Sequence, residues 1–285
     1  MRVMRKLARD SGVCVGGMLV LVVLCGAVFA GVIAPSGPLE SDLHARLLPP
    51  SAEHPFGTDG QGRDVLARTL HGARLSLAVG VGARTLAVLA GAVLGLMAGA
   101  LGGKVDGLIM RTADVFLAFP SLLLLIGITA AFEPGPGVAF FALAVVGWAE
   151  VARLVRGEAL SVRGREFVVA ARALGMTPLR VMWRHVFPNC ASPLIISFSM
   201  GVATTILAEA SLSFLGLGAQ PPMASWGAMV AAGKEHMTAA PWIALFPGVF
   251  LAATVLGLNL VGDGVRDALD PRTESGPGTS GGRPA

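Results

Sequence analysis

Residues 153–188 read RLVRGEALSVRGREFVVAARALGMTPLRVMWRHVFP, a long, strongly basic, helix-patterned stretch set between blocks that are almost wholly apolar. From Arg165 to Leu174 the apolar residues Phe167, Val168, Ala170, Ala171 and Leu174 recur at helical spacing and leave Glu166 and Arg172 on the other side. This predicts a short amphipathic helix. Gly175 stands where such a helix commonly ends, because glycine enters the left-handed region without a Cβ penalty. Thr177 followed by Pro178 is a start signal: the hydroxyl caps free N–H groups, and proline at the first helical position needs no N–H partner. The second helix is expected to stop near Phe187, since Pro188 disfavours the helical conformation in the residue before it. The expected product is helix, tight turn, helix, with a small-residue patch at Ala170, Ala171 and Gly175 that admits another backbone.

The rest of the chain says where this hairpin sits. With 285 residues, 54% hydrophobic and 14% charged, and a mean hydropathy of +0.70, the sequence belongs to the membrane class. No charged residue occurs between Ser11 and Leu39, where about 20 apolar residues suffice to span a bilayer. Val28-Phe29-Ala30 ends on a small residue as a signal-peptide cleavage site does, but the apolar stretch exceeds the roughly 7–15 residues of such a leader. It is read as an uncleaved anchor. Further spans are expected at about Leu75 to Leu101, Leu108 to Ala131, Val138 to Ala152, Ala191 to Leu217 and Pro241 to Val261. The fold class is therefore an all-α membrane protein with six transmembrane helices. Glycines number 38, and Gly91-x-x-x-Gly95-x-x-x-Gly99 is read as packing, small residues being what lets helices approach closely in lipid.

Lysine and arginine fix the expected orientation. With the N-terminus inside, the inner segments hold Arg2, Arg5, Lys6 and Arg9, then Lys104 and Arg111, the seven arginines from Arg153 to Arg184, and Arg266, Arg272 and Arg283. The other side holds Arg46, Arg63, Arg68, Arg74 and Lys234. This positive-inside pattern puts both termini and residues 153–188 in the cytoplasm, and the net charge of +4 needs no nucleic acid to explain it. Three cysteines, Cys14, Cys25 and Cys190, exclude a disulfide scaffold, have no metal spacing and read as small apolar fillers.

The spacing Ala170-Ala171, Gly175, Phe187-Pro188 resembles the EAA loop in permease subunits of ATP-binding-cassette importers, whose consensus is Glu-Ala-Ala, three residues, Gly, nine residues, Ile-x-Leu-Pro. Val169, His185 and Phe187 depart from it. Loss of the consensus glutamate questions any role for that carboxylate, although Glu166 lies one turn earlier. HPFGTDGQGRDVLAR at His54 to Arg68 with GARLSL, RTADVFLAFPSLLLL at Arg111 to Leu125, LSFLGLGAQPPMASWG at Leu212 to Gly227 and NLVGDGVRDALDPR at Asn259 to Arg272 extend the likeness over about Pro50 to Arg272. The chain resembles the second type of permease in dipeptide, oligopeptide and nickel importers. That resemblance implies a type I importer fold with a coupling helix in a cleft of an ATPase, and a coupling surface of Arg165, Glu166, Ala170, Ala171, Gly175, Thr177, Pro178 and Pro188. It also implies a second homologous permease as heterodimer partner, two cytoplasmic ATPase subunits that bind ATP and magnesium, and an extracytoplasmic solute-binding protein. A division into residues 1–72, a permease domain 73–265 with its coupling loop at 153–190, and a disordered cytoplasmic tail 266–285 follows, in a bacterial plasma membrane. A loop serving only to fix topology is the plainer alternative.

Gly102-Gly103-Lys104-Val105 lacks the first glycine and the hydroxyl of a phosphate-binding loop, so the chain carries no ATP site of its own and no cofactor. A membrane enzyme is a weaker reading, since no Ser/His/Asp set or paired catalytic carboxylates stand out. A passive channel and an importer of nickel or another small solute remain as alternatives. Ionisable residues inside spans point to a pathway, because they are costly in hydrocarbon unless paired or facing a cavity: Arg84, Asp114, Glu150 and Glu209 qualify. Asp114 is expected to pair with Arg111 one turn away. Glu209, about 27 Å along span five from Ala191, is expected near the outer mouth, either bordering the pathway or hydrogen-bonded to a neighbouring helix. Arg84 either snorkels or meets a partner. His54, Asp59 and Asp64 could be drawn as a metal site, but a solvated turn with an Asp59 cap and Arg63/Asp64 pairing is the better reading. Trp226 and Trp242 fit an aromatic position at the membrane interface.

Overall fold

The computed structural model describes residues 7 and 10–269; the readings of Arg2, Arg5, Lys6, Arg9, Arg272, Arg283 and most of the 266–285 tail lie outside the described residues. In chain order the helices are α1 (Ser11–Val28), α2 (Ala30–Ile33), α3 (Val65–Leu101), α4 (Gly103–Ala118), α5 (Ser121–Ala130), α6 (Pro136–Arg163), α7 (Glu166–Ala173), α8 (Pro178–Val181), α9 (Phe187–Phe214), α10 (Trp226–Lys234) and α11 (Trp242–Leu269). A π-helical turn, Met182–Val186, joins α8 to α9. α11 runs past the expected 265/266 boundary.

Among the described residues, five helical stretches are long and apolar enough to cross a membrane: α1, α3, α6, Met182–Phe214 and α11. α4 and α5, bent by 93° to one another, make a sixth if the pair is counted as one span. The expected straight span from Leu108 to Ala131 is thus broken, and the cause is local. Phe119 sits before Pro120 and is extended (φ −97°, ψ 144°), the conformation that a following proline imposes. The expected fourth span, Val138 to Ala152, is also revised. α6 continues through Ala152 to Arg163, so Arg153, Arg156 and Arg163 ride on about 16 Å of helix beyond it.

Helix starts are set by side chains. Asp10 accepts from Val13 N at 3.0 Å, Asp64 from Ala67 N at 2.8 Å, and Ser225 from Ala228 N at 3.3 Å, each satisfying an N–H that the helix leaves free. In lipid no hydrophobic drive holds helices together, so close backbone contact must. α3 lies on α6 through Gly91, Gly95 and Gly99: a Cβ on Gly95 would come 2.5 Å from Ala152 O, and one on Gly91 would come 2.7 Å from Trp148 O. α1 lies on α11 in the same way, with Gly16 and Gly257 each against the other's carbonyl. At one end of the bundle Asp106 of α4 receives Arg156 of α6 in a two-pronged ion pair, Nε to Oδ1 at 2.5 Å and Nη2 to Oδ2 at 2.6 Å.

Residues 34–64 form a folded cap on the opposite end, not a solvated loop. Thr58 is its hub: its hydroxyl donates to Ala45 O, Leu48 N donates to that hydroxyl at 2.8 Å, and Trp242 Nε1 donates to Thr58 O at 3.1 Å. Phe56 stacks on Phe246 with centroids 3.9 Å apart. Asp59 is taken up within the cap. It accepts from Gln61 N and Arg63 N and pairs with Arg63 Nε at 2.7 Å and Arg68 Nε at 3.5 Å. Asp64 pairs with His54 at 2.9 Å and not with Arg63, which corrects the expected partner. Both carboxylates are buried, and a buried carboxylate left without any partner would cost about 3–5 kcal/mol. Trp226 is fully buried with its Nε1 donating to Thr69 O at 3.1 Å. Trp226 thus fastens α10 to α3, and Trp242 fastens α11 to the cap.

Candidate functional site

The hairpin forms with the turn its sequence predicts. α7 ends at Ala173, Leu174 is its cap and Gly175 takes φ +82°. Met176 N donates to Ala171 O at 3.1 Å and Gly175 N to Arg172 O at 2.9 Å, the paired bonds of a Schellman turn. Thr177 Oγ1 accepts from Arg180 N at 3.4 Å, capping the helix that begins at Pro178. Glu166 opens α7, where a carboxylate is favoured by the helix dipole. Arg165 precedes it and reaches Glu158 at 4.0 Å.

The second helix does not stop at Phe187. Phe187 is helical (φ −55°, ψ −45°) and the chain runs on through α9. Pro188 occupies the first turn of that helix, where the missing N–H needs no partner. The π-turn before it absorbs the mismatch, and Asn189 Nδ2 donates to His185 O at 2.7 Å. Hairpin and fifth crossing are therefore one continuous element.

Two faces of the hairpin differ. Val168, Val181 and Val186 are buried in one cluster with Ala92 and Leu96 of α3, Val151, Val155, Ala159 and Val162 of α6, and Cys190 of α9. Each buried valine contributes about 1.5–3 kcal/mol where its surroundings would otherwise be water, so the hairpin is anchored on α3 and α6. The other face carries Phe167, Val169, Ala170, Leu174, Gly175 and Trp183, all exposed, with Leu174 at 87%. Ala171 turns inward, so the expected small-residue patch divides: Ala170 and Gly175 are open, and Ala171 packs.

A cavity of about 790 Å³ lies between α3, α6 and α9, with Ser121 of α5 and Arg266 of α11 on its rim. Arg84 of α3 is buried and lines it, and its Nη2 donates to Ser197 O at 2.6 Å and Ser197 Oγ at 2.8 Å. Glu150 of α6 lines the same cavity. Asp114 does not. It is exposed and pairs with Arg153 of α6, not with Arg111. Glu209 is also away from the cavity lining. It is 2% exposed, its Oε1 accepts from Ser213 Oγ at 2.7 Å, and its Oε2 has no hydrogen-bond partner. Ser197, Thr204 and Arg266 were not singled out from the sequence. The signal was an arginine in a span, which needs acceptors one or two helices away. Among the described residues no group of three His, Cys, Asp or Glu side chains is placed to hold a metal ion.

An all-helical bundle of apolar spans with a bent α4–α5 pair, a basic hairpin and a cavity bordered by Arg84 and Glu150 defines a membrane transport subunit. Residues 91–275 match the family described as binding-protein-dependent transport system inner membrane component, and the chain belongs to that family. It is 44% identical over 271 residues, 95% of this chain and 89% of the other, to the dipeptide transport system permease protein DppC of Alkalihalophilus pseudofirmus. To the oligopeptide transport system permease protein OppC of Bacillus subtilis it is 39% identical over 258 residues, 90% of this chain and 85% of the other. A solved inward-facing structure of the MetNI methionine ABC transporter superposes with a TM-score of 0.57 at 17% identity, over 71% of this chain and 96% of that one. The fold is that of a type I ABC importer permease.

Proposed function

We propose that this chain is one permease subunit of an ATP-driven importer of di- or oligopeptides, and that its hairpin is the surface worked by a separate ATPase. The observation that carries this reading is the hairpin itself, apolar on its exposed face yet built into the same buried cluster as α3 and α6. A displacement of α7 moves α3 and α6 with it, and these helices wall the cavity. ATP-driven closure of an ATPase pair then biases the bundle between two arrangements. Arg165, Glu166, Ala170, Gly175 and Thr177 stand at or beside the contact, and Pro178 and Pro188 start the helices that carry the movement onward. Ala171 supports it from inside.

The hairpin lies at the end of the bundle shared by Ser11 and Leu269, and basic residues concentrate there, which supports cytoplasmic placement of that end. The cap at residues 34–64, with α10, then faces an extracytoplasmic binding protein. Residues 73–265 act as the permease unit, and a second, homologous permease closes the other half of the path. The relatives bearing dipeptide and oligopeptide names favour peptides over nickel. In proteoliposomes holding this chain, its partner permease and the ATPases, ATP and binding protein together are expected to drive accumulation of labelled dipeptide and not of nickel. Nickel accumulation, or flux without the ATPases, would refute the peptide-importer reading.

A further inference from the structure

Arg84 stands about 28 Å along α3 from Val65, near the middle of that apolar helix, and only 5% of it is exposed. Its Nη2 is engaged by Ser197, but its Nε has no partner. The guanidinium reaches this position because residue 201 is glycine: a Cβ there would overlap it. An incompletely paired arginine inside an apolar span is costly, and a simple brace between α3 and α9 would not require leaving a charge-bearing N–H unsatisfied. Glu150 faces the same cavity and is near enough for its charge to act on Arg84. The two nevertheless form no ion pair within 4.0 Å among the described residues. One fixed cation and one fixed anion therefore border a single space.

That space, about 790 Å³, falls in the range of about 300–1,000 Å³ typical of small-ligand sites. Its charge pattern matches a zwitterion with separated ends. We propose that Arg84 receives the C-terminal carboxylate of a peptide in transit, with Glu150 taking the N-terminal ammonium. Ser197 holds Nη2 in place and Gly201 packs on the Nε side, leaving the part of the guanidinium that lines the cavity to meet the carboxylate. Arg266, at the rim, offers a second cation on the way out. This assignment rests on the peptide reading above, and adds that the permease itself, and not the binding protein alone, reads the peptide's ends.

The test uses the assembled importer in nanodiscs, nucleotide-free and without binding protein, with L-alanyl-L-alanine, its C-terminal amide and its N-acetyl derivative as probes in saturation-transfer NMR. The parent complex is expected to bind the free dipeptide about tenfold tighter than the amide, the loss of one charge-assisted contact. Arg84→Gln should bring the dipeptide down to the amide's affinity while leaving the amide unchanged, and Arg84→Lys should keep part of the preference. Glu150→Gln should weaken the dipeptide but not the N-acetyl form. A brace without ligand contact predicts instead that both peptides weaken together, or neither, which would overturn the assignment. If Arg84→Gln fails to assemble, equal binding of dipeptide and amide by the parent complex overturns it as well. A parent importer that accumulates dipeptide but ignores the amide substitution refutes Arg84 alone. One that accumulates another solute and no dipeptide refutes the substrate reading and this assignment with it.

Discussion

Gly175→Val is expected to reach the membrane at the level of the parent chain and to lose both uptake and substrate-stimulated ATP hydrolysis. Gly175 holds φ +82° in the turn between α7 and α8, and nothing stands within 4 Å of the position a Cβ would take. The harm within this chain is therefore conformational and not steric. A residue with a Cβ pays about 1–2 kcal/mol to enter the left-handed region, and a β-branched one more. That lowers the population of the closed turn by about tenfold and breaks the bonds from Gly175 N and Met176 N that fix α7 against α8. The added side chain would also stand on the exposed face of the hairpin. Gly175→Asn is the control, because asparagine tolerates this conformation; it should retain most of the coupling. Uptake and ATPase rates of purified, reconstituted complexes check both. Normal stimulated turnover in Gly175→Val would remove the hairpin from the mechanism.

Gly95→Leu is expected to fail earlier, at assembly of the bundle. The first added carbon would sit 2.5 Å from Ala152 O and 2.8 Å from Val155 Cβ. Backbone cannot yield as a flexible side chain does, so α3 must lift off α6 along its length. Overpacking an interior costs about 1–3 kcal/mol where side chains can adjust, and here a carbonyl blocks adjustment. The same seam carries Val151 and Val155, on which the hairpin is anchored, so separation at Gly95 also unseats Val168 and Val181. Gly17→Leu provides the comparison: Gly17 is a helix glycine with nothing within 4 Å. Membrane abundance and monodispersity after detergent extraction should fall severely for Gly95→Leu and stay at parent level for Gly17→Leu.

Much of this was legible in the sequence where the deciding interaction is local. Thr177, Pro178 and Gly175 announce their turn within five residues, and the turn forms. Hydropathy marks six crossings, and six are present if the bent α4–α5 pair is counted as one. Pro120 and Pro188 carried opposite lessons. The residue before Pro120 does leave the helical conformation, which breaks the third crossing inside an apolar run where no break was expected. The residue before Pro188 does not, because the π-turn at Met182–Val186 lets proline fall in the first turn of α9. Long-range pairings were not legible. Asp59 is claimed by Arg68 as well as Arg63, Asp114 by Arg153, the Trp226 indole by a carbonyl of α3 and the Trp242 indole by one in the cap. Each of these depends on which helices are neighbours. The cavity was half legible: Arg84 and Glu150 declared themselves as charges in hydrocarbon, while Ser197 and Thr204 look like ordinary span residues until α9 is set against α3.

The central claim is that residues 166–186 touch a nucleotide-hydrolysing subunit. Ala170 is exposed on the hairpin face, so Ala170→Cys in the reconstituted importer gives a direct measurement by cross-linking with a short bifunctional maleimide, read against the parent chain to account for Cys14 and Cys25. The expected result is a product with the ATPase subunit whose yield changes when ATP is added, and no labelling of the cysteine by an impermeant maleimide applied to the outside of intact cells. Outside labelling, or a product with the binding protein in place of the ATPase, would contradict the account.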